Sequence, residues 1–167
     1  MKHTKKFLPP YRNGVGVMLL NKENKVFVAR RIVPATKAWQ MPQGGIDEGE
    51  TPETAAFREL KEEIGTNNVQ ILAASHTWHT YDFPPYLIGK LWGGNYRGQR
   101  QKWFLMRFLG EDTEINIATE HPEFCDWQWI RIEELPVLAI SFKRKTYQAL
   151  IDEFSSVIEP NLIRIKN

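Results

Sequence analysis

The sequence predicts a single α/β domain, and three features carry that expectation. One helix is clearly punctuated at residues 52–64, short apolar strands lie on both sides of it, and a second amphipathic helix stands near the C-terminus. In the first helix Thr51 is placed to N-cap, Pro52 suits the first helical position, Glu53 favours the positive end of the dipole and Gly65 supplies a left-handed stop. Before it, residues 14–20 and 25–30 read as strands joined by a turn at 21–24, which makes a hairpin. After it, strands are expected at 69–74, 76–83, 102–108 and 126–130. Residues 141–157 carry Tyr147, Leu150, Ile151 and Phe154 at helical spacing, so a C-terminal helix packs on the sheet.

The 167 residues, 42% of them hydrophobic and 25% charged, suffice for one substantial core. The expected organisation is a basic lead-in at 1–10, one domain at 11–158 and a tail at 159–167. A net charge of +2 gives no global field for nucleic acid, so any such contact comes from local clusters and depends only weakly on salt. The lone Cys125 excludes an internal disulfide and a cysteine metal cage. No apolar run approaches a membrane span, and residues 7–10 lack the apolar region of a signal peptide. The reading is a soluble cytoplasmic protein without membrane contact or an evident obligate protein partner.

At about 100° per residue, with Glu59 at zero, Glu62 falls near −60° and Glu63 near +40°, so three carboxylates share one face of the first helix. Phe57, Leu60 and Ile64 cluster between roughly 100° and 160° and turn the adjoining face to the core. The acids therefore sit at the core's edge. Arg58, near −100°, is placed to orient a carboxylate. Like charges so close repel, and a hard divalent cation held by oxygen ligands is the simplest compensation; a merely solvated acidic face is the bland alternative.

Elsewhere, Arg12 and Arg31 stand at strand ends where loops gather around a pocket, as phosphate contacts or as solvated charges. The paired glycines Gly44 and Gly45 can present a backbone carbonyl to a metal. His76 and His79, three apart on an expected strand, face opposite sides and make a poor ligand pair. Residues 84–100, rich in Gly and Pro, read as a long binding loop in which Lys90, Tyr96 and Arg97, with Tyr81 before it, offer cations and rings. Glu123 lies at the mouth of a strand, where a fourth acid can approach a metal. The basic first turn expected at 142–145 opposes the helix dipole and so points to an anion.

Residues 44–66 resemble the Nudix box, G-x5-E-x7-R-E-U-x-E-E-x-G-U with U aliphatic. Gly44, Glu50, Arg58, Glu59, Leu60, Glu62, Glu63 and Gly65 match, and Thr66 in the final aliphatic position departs. Passages beyond the box, at 11–16, 39–45, 80–85, 98–104, 122–124 and 141–144, resemble the branch containing bacterial RNA 5′-pyrophosphohydrolases and asymmetrical diadenosine tetraphosphate hydrolases. The resemblance implies a Nudix α/β/α sandwich, a mixed sheet between helices. It implies magnesium, with manganese or zinc as substitutes, held by Glu59, Glu62, Glu63 and Glu123 with the Gly44 carbonyl. It further implies phosphate contacts from Arg12, Arg31 and Lys143, a base stacked on Phe142, and nucleotide and phosphate contacts from Tyr81 and Lys90.

The expected chemistry is metal-assisted attack of water on a polyphosphate, with Glu62 or Glu63 as base; sequence does not separate the two. The expected substrate is a 5′-triphosphorylated RNA end, whose decay the reaction would initiate, or alternatively a dinucleoside polyphosphate such as diadenosine tetraphosphate. A catalytically inactive nucleotide-binding module is the third reading, and the complete acid set speaks against it.

Overall fold

The computed structural model describes residues 8–33 and 35–166, with side chains described through Ile158. Strand β1, Tyr11–Leu20, runs through the sheet and is buried from Gly14 onward on both faces. That is why its sequence is a continuous apolar run rather than an alternation. It lies parallel to β6, Gly98–Phe108, in register from Tyr11 opposite Gly98 to Leu20 opposite Arg107. Pairing with Gly98–Arg100 draws Tyr11–Asn13 into the strand, three residues earlier than the apolar pattern alone marks.

The other strands are antiparallel to their neighbours. β2 (Val26–Arg31) follows β1 across the hairpin, β3 (Gln43–Gly45) pairs with Gly14–Gly16, and β7 (Phe124–Ile130) adds outside β2. β4 (Val69–Ala74) and β5 (His79–Asp82) take the two halves of β6, giving the order β4-β6-β1-β2-β7 with β3 and β5 off that path. β5 is shorter than the expected strand at 76–83, and Gly98–Arg100 belong to β6 rather than to the preceding loop.

The sheet's two faces sort by alternation. Val15, Val17, Leu19, Phe104 and Met106 meet Ala56, Leu60 and Ile64 of α1, Pro52–Ile64. Met18, Leu20, Trp103 and Leu105 meet Tyr147, Leu150 and Phe154 of α3, Arg144–Lys166, reached through the short α2, Leu135–Leu138, which the sequence did not signal. The result is the expected α/β/α sandwich. Helix α1 has the predicted ends: Thr51 Oγ1 accepts from Thr54 N at 3.2 Å, and Gly65 has φ 79° with its N–H on Lys61 O. Thr66, in the aliphatic position of the box, is buried, and its Oγ1 accepts from Asn68 N at 3.1 Å.

The C-terminal helix departs from expectation at both ends. Ser141–Lys143 form a 3-10 turn, the α-helix begins at Arg144, and it continues through residues assigned to a tail as far as Lys166. Buried Leu150, Phe154 and Ile158 continue its apolar stripe beyond the expected end at 157. Residues 1–7 of the expected lead-in, and Asn167, lie outside the described residues. Among the described residues no helix is long and apolar enough to cross a membrane.

The Trp103 indole lies over its ladder partner Gly16, where a Cβ would stand 2.5 Å from the ring; Trp103 is fully buried and edge-on to Tyr147. Gly16→Ala should therefore destabilise the fold by about 1–3 kcal/mol, the usual consequence of overpacking. Urea unfolding checks this; an unshifted midpoint would mean that Trp103 can move aside.

Candidate active site

Strand β3 and the C-terminal half of helix α1 build one half of the site. Gly44 lies so close to Glu59 that a Cβ would overlap its carboxylate, and the Gly44 carbonyl in turn stands 2.6 Å from where a Cβ on Gly14 would be. These are close approaches only glycine permits. Gln43 N donates to Glu63 Oε2 at 3.2 Å, so the strand entering the helix is fastened to the deepest acid.

Arg58 organises the outer acids. Its Nε and Nη2 form a fork on Glu50 at 2.7 and 2.8 Å, Nη2 also donates to Gly45 O at 2.9 Å, and Nη1 donates to Glu59 at 2.9 Å and Glu62 at 3.2 Å. Bidentate, charge-assisted bonds of this kind fix geometry as well as charge. Hydrogen bonds from Arg58 and the Asp47 backbone hold the Glu50 carboxyl down to about 2. Sequence reading placed Arg58 beside Glu62 but missed its stronger tie to Glu50.

The three central acids differ in depth. Glu62 is exposed, with 58% of its side-chain surface open, while Glu63 is only 3% exposed and belongs to the buried face of α1. Its wheel angle, the nearest of the three to the apolar arc, accounts for that burial. Burial pushes the Glu63 carboxyl well above the usual range, and the neighbouring charges of Glu123 and Glu59 push it further. Glu59 is also raised, first by burial, against the lowering influence of Arg58. The side chain of Glu123, which precedes β7, reaches the Glu63 carboxyl from an otherwise exposed position.

These carboxylates fit a hard cation, because Glu63 is buried beside two further acids and Arg58 is already shared among Glu50, Glu59 and Glu62. Among the described residues, no three His, Cys, Asp or Glu side chains form a ready metal cage. Carboxylate and carbonyl oxygens suit a hard ion that keeps water or substrate oxygens among its ligands.

The other half of the site is a pocket lined by Arg31, Gln43, Tyr81, Phe83, Phe142 and Lys143, with Trp39 and Trp92 among its further walls. The Tyr81 and Phe142 rings lie 5.6 Å apart, and Phe83 stands edge-on to Phe142 at 6.4 Å. Lys143 is buried and donates to Gln40 Oε1 at 3.4 Å and Gln43 Oε1 at 3.3 Å. Burial and the Arg31 charge lower its amine to about 7, against a smaller raising influence of Glu63. The 3-10 turn turns Lys143 inward; it is not a solvated cation on a helix end.

Four of the expected substrate contacts, Arg31, Tyr81, Phe142 and Lys143, thus share one pocket. Arg12 lies at its edge, over the Trp92 ring at 4.5 Å. Lys90 does not join them: it is exposed, outside the pocket lining, in the loop between β5 and β6.

Sequence reading missed a glutamine chain beneath the pocket. Gln99 Nε2 donates to Tyr81 Oη at 2.7 Å, and Gln101 Nε2 donates to Gln43 Oε1 at 3.2 Å. Gln99 and Gln101, at 1% and 0% exposure, hold alternate positions of a core strand, and that polar pair in a buried run was the available signal. Gln43 joins both halves, with its backbone on Glu63 and its side-chain oxygen on Lys143.

A mixed sheet between helices, with an acid-bearing helix entered through a glycine pair, is the Nudix architecture. The chain belongs to the NUDIX domain family, which matches residues 10–150. It is 55% identical over 150 residues to the RNA pyrophosphohydrolase of Rickettsia typhi, covering 90% of this chain and 93% of that protein. It is likewise 55% identical over 159 residues to that of Rickettsia bellii, covering 95% and 99%. In fold it is similar to the E. coli dihydroneopterin triphosphate pyrophosphohydrolase, with TM-score 0.65, 18% identity and coverage of 90% and 99%. A C. elegans Ap4A hydrolase gives TM-score 0.60 at 19% identity, covering 86% and 98%. Nudix hydrolases generally need a divalent metal.

A buried amine whose pKa is lowered to about 7 makes a definite prediction. Between the folded value near 7 and the ordinary 10.5, unfolded Lys143 binds a proton that folded Lys143 lacks, so stability rises with pH across that window and the cost is full below it. Lys143→Met should raise the melting temperature at pH 6–7 by at least about 2 °C, equivalent to ~1 kcal/mol or less in a domain of this size, and the gain should fade toward pH 10. Thermal melts across pH check this; a pH-independent difference would contradict the lowering of the Lys143 amine by burial.

Proposed function

We propose that this chain is a magnesium-dependent pyrophosphohydrolase that removes pyrophosphate from the 5′ end of triphosphorylated RNA. The observation that carries the reading is the junction at Gln43, where an aromatic pocket with a cationic floor adjoins a buried acid cluster. The names of the Rickettsia relatives support RNA as the substrate.

In this proposal a base from the RNA end stacks on Phe142 at the pocket, where stacking contributes about 1–3 kcal/mol with little choice among bases. Gln40, whose Nε2 is buried and unpartnered, offers a polar contact at the pocket wall. Arg31 and Lys143 take phosphate charge, and a bound phosphate would favour the protonated form of Lys143. Arg12 meets the chain where it passes Gly45.

Glu59, Glu63 and Glu123, with Glu62 and the Gly44 carbonyl at the margin, are the residues that would hold magnesium. When bound, the metal supplies charge neutralisation to the phosphates and acidity to a water. Arg58 keeps Glu59 and Glu62 in place. We assign the water's proton to a Glu62 carboxylate oxygen, because that group is open to solvent, whereas the Glu63 carboxyl is buried against other acids.

With magnesium present, the protein should release pyrophosphate from a 5′-triphosphorylated RNA faster than it cleaves diadenosine tetraphosphate, and Glu63→Gln should slow both at least about a hundredfold. Quantifying both products at equal enzyme concentration decides among the readings. Rapid dinucleotide cleavage beside intact RNA would make the chain a dinucleoside polyphosphate hydrolase. Folded protein that binds nucleotide but releases no product would make it a binding module.

A further inference from the structure

Trp92 has a backbone φ of 48°, and Asn24 is the other non-glycine residue with positive φ among those described. Asparagine tolerates that region, while a large aromatic residue there is an outlier. The same loop holds Gly89, Gly93 and Gly94 at φ 90°, 65° and 75°, so glycine at position 92 would satisfy the turn with less strain. Strain kept at a position where it is avoidable points to a use for the side chain. The Trp92 ring lies outside the core, 38% exposed, so core burial does not account for it.

The indole leans on Phe83, with ring centroids 5.2 Å apart, and meets Tyr96 edge-on at 6.1 Å. Its face carries the Arg12 guanidinium at 4.5 Å. The same guanidinium lies against Gly45, where a Cβ would overlap Nη2. Arg12 is thus held between an aromatic face and the strand whose preceding residue, Gly44, touches Glu59. Ion pairs engage Arg30, Arg58 and Arg131 among the described residues, but not Arg12. Its charge is positioned by a ring rather than neutralised by an acid.

We propose that Trp92 is a positioning residue for Arg12. The indole face holds the guanidinium against Gly45, so that its donors are placed for a phosphate chain before substrate arrives. This rests on the reading of the site as one that hydrolyses a nucleotide-ended polyphosphate. A guanidinium spends less conformational freedom on an anion when it is already stacked, and its fork is directional in a way that a lysine amine is not. Trp92 acts through Arg12 and has no part in moving protons.

The test is a cycle of Trp92→Gly, Arg12→Ala and the double variant, with Trp92→Phe as the conservative change, assayed for kcat and KM on 5′-triphosphorylated RNA. Trp92→Gly should melt within about 2 °C of the wild type, because glycine suits the backbone there, and should lose at least about tenfold in kcat/KM. Trp92→Phe should recover most of that loss, and the double variant should be no slower than Arg12→Ala alone. Additive losses would make Trp92 an independent substrate contact and overturn the proposal, as would full activity in Trp92→Gly. Should wild-type protein leave the RNA intact, the functional reading falls. The cycle is then read from ATP binding, where the same non-additive pattern is required and additivity again overturns the proposal.

Discussion

A buried carboxyl among other carboxyls is the constraint from which the rest of this site follows. Glu63 sits on the core face of α1 with Glu59 one turn away and Glu123 reaching it from the start of β7. Such a group is costly to ionise without nearby positive charge. Arg58 supplies only part of it, being shared among Glu50, Glu59 and Glu62 on the outer side. The fold therefore retains an unfavourable arrangement that a divalent cation and its phosphate ligands would make favourable. This is the pattern of a site that gives up stability for function.

Gln43 extends that constraint into the adjoining pocket. One residue before the glycine pair, it fastens β3 to Glu63 and shares its amide oxygen between Lys143 and Gln101. The pocket's amine and the helix's acid share one constraint, since burial pushes each toward its neutral form, Lys143 downward and Glu63 upward. Tyr147 secures the same segment from the other face of the sheet, its hydroxyl accepting from Met41 N at 3.0 Å. A displacement of residues 41–45 would be felt by both halves at once.

Much of this was legible in the sequence because it rests on local rules. The ends of α1 follow from Thr51, Pro52 and Gly65, and the acid face follows from helical periodicity. What escaped depends on contacts distant in the chain. Tyr11–Asn13 become strand only because Gly98–Arg100 lie beside them, and Lys143 becomes a pocket residue only because a 3-10 turn rotates it inward. Gln99 and Gln101 look like ordinary polar residues until Tyr81 and Gln43 are seen against them. Lys90, suggested by loop composition and by the family resemblance, stands apart from the others, exposed and outside the lining of the pocket.

The central claim is that the acids around Glu63 are a metal site, and thermal stability measured in chelator and in magnesium at one fixed pH tests it most directly. Magnesium at about a hundred times its dissociation constant should stabilise the wild type by ~2.7 kcal/mol, or roughly 5–10 °C in a domain of this size. Glu63→Gln should melt higher than the wild type in chelator, because its buried amide carries no charge, and should respond little to magnesium. A wild-type melting temperature indifferent to magnesium, or an equal rise in both proteins, would contradict the account.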